Sequence, residues 1–495
     1  MEIPKDVEEL AYSLMITEFT GYSLPEKVLS KPYAGVILFA KNIRTEEELI
    51  ALNREIKETS LKKYGKMPII SVDQEGGAVT RVNFENITPL CGNMAIGKTN
   101  SEYLAEKNGQ ICALELAKLG FNVDFAPCSD INSNPQNPII GTRSFGENAH
   151  KVAILASAMA KGMAKGGILA CAKHFPGHGD TAFDSHLTMP KSEKTLNELE
   201  KCELLPFKSV IEANIPMIMT SHICFSKIDK EGLPATLSKT ILTDILREKL
   251  GFKGVIVTDS MAMDGIKKYF GYGEAIVQSI IAGADLIIAC GNEEDREKAV
   301  EAIKKAVEEG RLTIERLQSS FEKIEAMKES LKSSLEISQE EKIKIAEESA
   351  KNSIEIVLNN GMIGKKIKKT LLISPEKLKL SPHSIPTEKS YLPEFMDYAK
   401  TEYYKIGSES EKIKEFEKIA KKYDRIILAI SSFGKLTDEQ RQLLNSFEKI
   451  AQKTVIVSVN NPYLKNEIKW MKSYINSFHF GKLQMKYTAK TIDGE

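Results

Sequence analysis

Short apolar runs alternate with longer amphipathic segments between residues 30 and 330, and this alternation constrains the fold more than any other feature of the chain. The runs are nearly continuous in apolar residues, which is typical of strands buried on both faces of a parallel sheet. The intervening segments, such as EEELIALNREIKETSLKKYG, have the apolar spacing of helices. The runs are AGVILFA (34–40), MPIISVD (67–73), FNVDFAPCSD (121–130), GILACAKH (167–174), PMIMTSH (216–222), GVIVTDS (254–260) and ADLIIAC (284–290), with PATLS (234–238) as a weaker candidate.

Eight strand–helix units in this region predict a (β/α)8 barrel, with a doubly wound open sheet as the alternative. The chain has 495 residues, which exceeds what one hydrophobic core usually holds. We therefore expect a TIM-like barrel domain over residues 1–335, a linker and helix over 336–350, and an α/β sandwich-like domain over 351–495. The final residues KTIDGE predict no last strand, so we expect this second domain to be short or truncated. Its predicted strands are TLLIS (370–374), DRIILAIS (424–431) and TVIVSVNNP (454–462).

Composition excludes some classes of partner. Lysine plus arginine equals aspartate plus glutamate, at 68 each, so there is no electrostatic reason to expect binding to nucleic acid or an anionic membrane. No run approaches the ~20 apolar residues of a membrane-spanning helix, and the start MEIPKDVEELAYSLM lacks a secretory signal pattern. The seven cysteines form no C-x-x-C pair, which favours buried free thiols in a reducing cytoplasm. The sequence leaves the oligomeric state open.

Five strands of the predicted barrel end in polar or ionisable residues. Active sites of such barrels lie at the carboxyl ends of the strands. Because a buried charge costs several kcal/mol unless it is paired, this repeated placement indicates a functional pocket rather than ordinary packing. We expect these side chains to become neighbours in the fold: Asp73, Asp130, Lys173 with His174, His222, and Asp259.

The stretch AKHFPGHGDTAFDSH (172–186) holds three of the chain's seven histidines, and three interpretations of it are open. A metal site could use His174, His178 and His186 with a nearby aspartate, but the spacing matches no H-E-x-x-H pattern, and glycine and proline oppose a helix. A structural loop would explain the glycines and the proline, with His178 as a residue that braces the loop. The third interpretation is acid/base catalysis.

Acid/base catalysis is favoured by the order Asp184-Ser185-His186. Residues i and i+2 of an extended segment point the same way, so the carboxylate can orient the imidazole, which can then donate a proton to a leaving group. Such a reaction needs a second group across the reacting carbon. Asp259 at the end of GVIVTD is the best candidate for a carboxylate nucleophile, and Asp264 ranks well below it. A carboxylate nucleophile and a proton donor on either side of one bond are typical of a retaining glycosidase, although the proton donor is usually a carboxylic acid rather than a histidine.

Five motifs together resemble glycoside hydrolase family 3, and more narrowly its bacterial β-N-acetylglucosaminidases of the NagZ type. The resemblance covers residues 5–330, with the motifs in family order. It is weaker in the second domain, where SVNNPYL (458–464) is similar to the αβα sandwich of longer members. The motifs are VDQEGG (72–77), NPIIGTRSFG (137–146), KHFPGHGDT (173–181), DSH (184–186) and VTDSM (257–261).

The resemblance implies that Asp259 is the nucleophile and forms a covalent glycosyl-enzyme, and that His186 is the acid/base with Asp184 as its partner. We expect no cofactor, since the sequence has no G-x-G-x-x-G or Walker pattern, and no metal, since direct displacement by Asp259 needs none. A histidine on a barrel loop marks the N-acetylhexosaminidase branch, so we expect an oligosaccharide substrate with a terminal non-reducing β-linked N-acetylglucosamine, derived from peptidoglycan or chitin fragments. The residues implied to hold the sugar hydroxyls are Asp73, Arg81, Arg143, Lys173 and His174.

One departure from the family and two alternative functions bear on this expectation. Ala78 follows the double glycine of DQEGG, where many members have arginine, and this position bears on what is accepted next to the first sugar. A histidine that becomes neutral repels an anion less than a carboxylate does, so phosphate could replace water and make the chain a phosphorylase. A non-catalytic sugar-binding protein is the other alternative, but binding alone would not require Asp184, His186 and Asp259.

Overall fold

The computed structural model describes residues 6–181, 189–379 and 388–495, and it contains two main sheets. An eight-stranded parallel sheet forms the N-terminal unit, and a six-stranded sheet forms the centre of the second domain. The strands of the first sheet are β1 (Met15–Thr17), β2 (Gly35–Ile37), β3 (Ile69–Val72), β4 (Val123–Asp124), β5 (Leu169–Phe175), β6 (Met217–Thr220), β7 (Val255–Val257) and β8 (Ile287–Ile288).

The eight strands close into a barrel. Each strand pairs in parallel with the next one along the chain. β8 returns to β1 through the pair Met15 and Ile287, and a bridge between Val257 and Leu286 joins β7 to β8. The predicted fold class, a (β/α)8 barrel followed by a smaller α/β domain, is confirmed.

The weakest strand candidate of the sequence is wrong, and another segment takes its place in the barrel. Ala235–Leu237, within PATLS, forms a turn of 3-10 helix. The missing strand is Met15–Thr17, whose three residues are all buried. This strand follows almost directly on the helix Val7–Ser13, so the two elements read as one apolar segment. A strand of three residues is too short to show a period of its own.

Several of the helices that surround the barrel begin at a residue whose side chain caps the helix. Thr45 accepts a hydrogen bond from the Glu48 amide at the start of the helix Glu46–Tyr64, whose first turn is acidic, and Gly65 ends it with a φ of 65°. The other helices of this unit are Val7–Ser13, Glu26–Leu29, Asn93–Thr99, Glu102–Lys118, Ala149–Lys165, Leu196–Lys201, Leu204–Glu212, Thr240–Lys249 (of the wide π type), Asp264–Phe270, Tyr272–Ala282, Glu293–Glu308 and Ile314–Glu329.

The second domain is built on β9 (Glu355–Leu358), β10 (Thr370–Pro375), β11 (Lys400–Tyr404), β12 (Arg425–Ile430), β13 (Thr454–Ser458) and β14 (Ser473–Asn476). Their order in the sheet is β9-β14-β13-β12-β10-β11. β9 pairs antiparallel with β14, and the other neighbours are parallel. The helices of this domain are Ile413–Ala420, Asp438–Ser446, Leu464–Glu467 and Lys482–Asp493. A small two-stranded sheet of this domain pairs Lys377–Leu378 with Glu388–Lys389. A second small sheet, in the barrel unit, pairs Lys191–Ser192 with Cys224–Phe225.

The two units are joined by the helix Gln339–Ser353, which packs against Glu102–Lys118 of the barrel and Lys482–Asp493 of the second domain. The residues IKIAEESAKNSIEIVLN (343–359) have the pattern of one continuous helix, but the helix ends at Ser353 and β9 begins at Glu355. The backbone of Ile354 is already extended, and the β-branched residues of EIVL favour a strand.

All seven cysteines are free thiols, as the sequence predicts. Six are buried and Cys202 is half-buried. Among the described residues, no helix is both long enough and apolar enough to span a membrane.

Candidate active site

A cleft of about 770 Å³ lies at the carboxyl end of the barrel strands. Its volume is within the ~300–1,000 Å³ that is typical of ligand sites, and this is the end of the barrel where active sites lie. Residues in or directly after each of the eight strands line it: Glu18, Phe39, Asp73, Phe125, Lys173, Met219, Asp259 and Cys290.

Six of the eight predicted site residues surround this one cleft. Asp184 and His186, the predicted acid/base pair, lie outside the described residues. The structure thus brings together side chains from four distant segments, and their catalytic and binding roles stay predictions. The six residues are Asp73, Arg81, Arg143, Lys173, His174 and Asp259.

Glu75 is the centre of the charged network on the cleft floor, and the sequence analysis did not single it out. It is 2% exposed, and its Oε1 lies 2.7 Å from Lys173 Nζ and 2.8 Å from Arg143 Nη2. Arg143 Nε also donates to Oε2 at 2.9 Å, so the arginine binds the carboxylate through two hydrogen bonds. Burial alone would raise the pKa of Glu75, but Arg143 and Lys173 hold it below the usual range, and the carboxylate stays ionised.

Lys173 is held between two carboxylates. Its side chain is buried, and Nζ donates to Asp73 Oδ1 at 2.7 Å in addition to its contact with Glu75. Burial would lower the pKa of Lys173, but Asp73 and Glu75 raise it above its usual value, so the ammonium stays charged. A charged donor is therefore fixed at the end of β5, inside the cleft.

His174 is oriented by Asp130, which lies behind it. His174 Nδ1 donates to Asp130 Oδ2 at 2.7 Å, since the carboxylate can only accept. The amides of His174 and His178 donate to the same carboxylate at 3.1 and 2.6 Å. Burial alone would raise the pKa of Asp130, but the two histidines and these hydrogen bonds lower it to about 2. Asp130 thus positions His174, whose Nε2 lies 3.4 Å from Arg143 Nη2.

One cluster of possible metal ligands includes a histidine of the stretch 172–186. Among the described residues, Cys128, Asp130 and His174 place ligand atoms within 4.8 Å of one another. The Asp130 carboxylate already accepts hydrogen bonds from His174 and from Cys128 Sγ. His178 Nδ1 lies 3.1 Å from Thr181 Oγ1, which fits the interpretation that His178 braces the loop.

Asp259 lies just beyond β7, and its half-buried carboxylate lines the cleft. Its Oδ1 accepts a hydrogen bond from the Ser260 amide at 2.7 Å, which fixes the orientation of the carboxyl group. Asp264 also lines the cleft, but it is exposed and is the first residue of the helix Asp264–Phe270. Asp259 is therefore the better placed of the two as a nucleophile.

The surroundings differ for His222, which is predicted at a strand end, and for Arg81, which the resemblance implies holds a sugar hydroxyl. His222 Nδ1 bonds to Thr236 Oγ1 at 2.8 Å and Nε2 to the Ser260 carbonyl at 3.0 Å, so His222 supports the loop that follows Asp259. Arg81 lines the cleft, and its Nε is buried with no hydrogen-bond partner among the described residues. Arg81 can therefore donate to a ligand.

The second domain also lines the cleft, which the sequence analysis missed. Phe433 and Gly434 follow β12, and Asn460 follows β13. The signal was present, because both strands are buried parallel strands that end in polar loops, SSFG and VNNP. Polar strand ends therefore indicate the cleft in the second domain as well as in the barrel.

A closed barrel that places a carboxylate and several fixed donors and acceptors around one strand-end cleft is organised as a barrel glycosidase. The chain belongs to glycoside hydrolase family 3, since the model described as the glycosyl hydrolase family 3 N terminal domain matches residues 9–327. Beta-hexosaminidase A of Pseudoalteromonas piscicida is 37% identical over 332 residues, which are 63% of this chain and 56% of that protein. This chain therefore spans little more than half the length of that relative.

Two further comparisons agree with this family. A beta-hexosaminidase of Neisseria meningitidis serogroup C is 36% identical over 272 residues, which are 54% of this chain and 73% of that protein. A solved structure of a glycoside hydrolase family 3 beta-N-acetylglucosaminidase from Paenibacillus sp. str. FPU-7 matches with a TM-score of 0.92 at 28% identity. That match covers 99% of this chain and 97% of the other, so it includes the second domain.

Proposed function

We propose that this chain is a retaining β-N-acetylhexosaminidase that removes terminal, non-reducing β-linked N-acetylglucosamine from oligosaccharides. The observation that carries the proposal is that Asp259 shares one cleft with the fixed polar groups of Asp73, Arg143, Lys173 and His174. Membership of family 3 and the names of the relatives support the same reaction. Fragments of peptidoglycan or chitin, recycled in the cytoplasm, are the proposed source of the substrate.

In the first step, an oxygen of Asp259 attacks the anomeric carbon, and the bond from that carbon to the leaving oxygen breaks. His186, oriented by Asp184, donates a proton to this oxygen, so the leaving sugar departs neutral. The hydrogen bond from the Ser260 amide to Asp259 Oδ1 holds the nucleophile in place. In the second step, water gives its proton to His186 and attacks the same carbon, which releases Asp259.

The charged network of the cleft floor would hold the sugar in the orientation that this attack needs. Asp73 can accept from a hydroxyl, and Lys173 and Arg143 can donate to hydroxyl oxygens. Because Glu75 fixes both cations, these donors are oriented before the substrate arrives, so less entropy is lost on binding.

The test is turnover of a chromogenic N-acetyl-β-glucosaminide, with and without phosphate, by wild type, Asp259→Asn and His186→Ala. Asp264→Asn and His150→Ala are the matched controls, since Asp264 is the neighbouring cleft carboxylate and His150 lies exposed on the helix Ala149–Lys165. We expect free N-acetylglucosamine at a rate that phosphate does not change, lost in both site variants and kept in both controls.

Three results would contradict parts of this proposal. Sugar 1-phosphate as the product would make the chain a phosphorylase with the same residues. Activity on a glucoside, with none on the N-acetylglucosaminide, would refute the substrate. Loss of activity in Asp264→Asn but not in Asp259→Asn would refute the nucleophile.

A further inference from the structure

We propose that His222 is a positioning residue for the nucleophile Asp259, and that it acts through the peptide unit between Ser260 and Met261. The inference rests on the proposed function, because Asp259 needs a fixed position only if its carboxylate attacks the sugar. It adds to that function a residue that lies behind the cleft and does not touch the substrate.

The peptide unit between Ser260 and Met261 is held from two neighbouring strands. The Ser260 carbonyl accepts a hydrogen bond from His222 Nε2 at 3.0 Å, and His222 follows β6. The Met261 amide donates to the carbonyl of Ile288, the last residue of β8, at 3.0 Å. Since β6 and β8 lie on the two sides of β7, the turn that follows β7 is tied to both of its neighbours in the barrel.

This turn sets the orientation of the nucleophile. Asp259 Oδ1 accepts a hydrogen bond from the Ser260 amide at 2.7 Å, so the position of the carboxylate depends on the backbone of Ser260. His222 holds the carbonyl of the same residue. Without that hydrogen bond Ser260 can rotate, and its amide no longer fixes the Asp259 oxygen. A misplacement of ~1 Å can cost about 100-fold in rate, because the attacking atom must be close and aligned.

His222 is itself fixed in place by a buried pair of threonines. It is 1% exposed, and its Nδ1 lies 2.8 Å from Thr236 Oγ1. Thr236 Oγ1 lies 2.7 Å from Oγ1 of Thr220, the last residue of β6. The Ser260 carbonyl can only accept a hydrogen bond, so Nε2 carries the proton that points to it. The imidazole thus bridges the threonine pair and the turn after Asp259, which requires a polar group at each end of the side chain.

His222 acts on the turn and not on the sugar. Asp259 and Ser260 line the cleft, and His222 is not among the described residues that do. The Ser260 carbonyl also accepts a hydrogen bond from the Met263 amide at 3.2 Å. It keeps this partner when His222 is replaced, so the turn loses a restraint without leaving a buried carbonyl unpaired. We therefore expect replacement of His222 to affect turnover more than folding.

Two replacements of His222 separate the roles of its ring nitrogens. Glutamine can place an N–H close to the position of Nε2, whereas the shorter asparagine can place one only near Nδ1. For His222→Asn we expect kcat on a chromogenic N-acetyl-β-glucosaminide to fall about 100-fold with KM unchanged, because the lost restraint matters only in the transition state. His222→Gln should be about tenfold more active than His222→Asn, since it can still bind the Ser260 carbonyl.

Two further variants complete the test. Thr236→Val keeps the shape of the side chain but removes the hydroxyl that orients the imidazole, so kcat should again fall with KM unchanged. Asn122→Ala is the matched control, because Asn122 Oδ1 also bonds to the backbone of a neighbouring strand, the Ile70 amide at 2.8 Å, but near the amino ends of β3 and β4. It should lower the midpoint of urea unfolding without a change in kcat. Far-UV circular dichroism checks the fold, and fluorescence of Trp470, the chain's single tryptophan, checks the second domain.

Unchanged kcat in His222→Asn, a rise in KM alone, or equal losses in the asparagine and glutamine variants would overturn the inference while the proposed function stands. A loss of kcat in Asn122→Ala as large as that in His222→Asn would assign the effect to general destabilisation and overturn it as well. If neither His222 variant folds, Thr236→Val decides, and an unchanged kcat there overturns the inference. If wild type turns over no N-acetylglucosaminide, or if Asp259→Asn keeps full activity, the proposed function fails and the inference fails with it.

Discussion

Replacing Glu75 with glutamine tests whether the charged network organises the cleft. The variant keeps the size of the side chain but removes the one charge that Lys173 and Arg143 share. Lys173 would retain Asp73 as a partner, and Arg143 would lose its two-point contact with a carboxylate. Removing one partner of a buried ion pair costs about 3–5 kcal/mol, so we expect a loss of this size in the free energy of unfolding of the barrel.

The same variant should weaken the enzyme. A hydrogen bond to a charged group contributes about 1.5–3 kcal/mol, and displaced cations would lose at least one such bond to the sugar. We therefore expect kcat/KM on an N-acetylglucosaminide to fall about 10- to 100-fold, since 1.4 kcal/mol corresponds to a factor of ten.

The lowered pKa of Glu75 also predicts how the stability of the fold changes with pH. The pKa of Glu75 is below its ordinary value of 4.5, because the effect of Arg143 and Lys173 exceeds that of burial. A carboxylate whose pKa is lowered in the folded state stabilises the fold above the unfolded pKa, and that contribution is lost as the pH falls below it. Wild type should therefore lose stability below about pH 4.5, and Glu75→Gln should lack this part of the loss.

The assay combines urea unfolding, followed by far-UV circular dichroism, with steady-state kinetics. Asp285→Asn is the matched control, because Asp285 is a fully buried carboxylate that pairs with Arg247 and Arg316 just before β8, at the opposite end of the barrel. We expect the control to lose stability without a change in kcat/KM. Unchanged kcat/KM in Glu75→Gln, or equal kinetic losses in both variants, would refute the positioning role of Glu75.

Three further predictions follow from single side chains. Asp259→Asn should lower kcat by more than ~10³-fold with an unchanged circular dichroism spectrum, because the amide cannot attack the sugar; preserved turnover would exclude Asp259 as nucleophile. Burial lowers the pKa of His178 from 6.5 to about 4, so the neutral form is favoured in the folded state and stability should fall as the pH drops through this interval. His178→Asn should flatten that slope in urea titrations at stepped pH, and an unchanged slope would contradict the assignment. Arg425 is fully buried and bonds to Asp493 at 2.8 Å, so Arg425→Met should cost the second domain about 3–5 kcal/mol; Trp470 fluorescence in urea should report this loss, and an unshifted midpoint would be evidence against it.

Much of the barrel was predictable from the sequence, because a buried parallel strand is recognisable as a short, nearly continuous run of apolar residues. β3 and β7 lie inside the runs MPIISVD and GVIVTDS, and β5 extends one residue beyond the run GILACAKH. Since all strands of a parallel barrel end at the same edge, the residues after them could be placed in one cleft before any distance was known. Asp73, Lys173 and Asp259 do line one cleft.

Short or ambiguous segments were predicted less well. β1 has three residues and follows a helix, so local periodicity could not separate it. The boundary between the helix ending at Ser353 and β9 depends on the pairing of β9 with β14, more than one hundred residues away in sequence. A pattern read in a local window carries no information about such a partner.

The tertiary structure alone decided the role of Glu75 and the contribution of the second domain. In the sequence, Glu75 is one acid in a glycine-rich loop, and it becomes the centre of a network when the fold places Arg143 and Lys173 beside it. Phe433 and Asn460 reach the cleft because the second domain docks on the barrel. The sequence by itself determined most of the barrel strands and the edge that holds the chemistry, because hydrophobic periodicity is a local property. Ion pairs and domain docking depend on contacts between distant segments, and these exist only once the chain has folded.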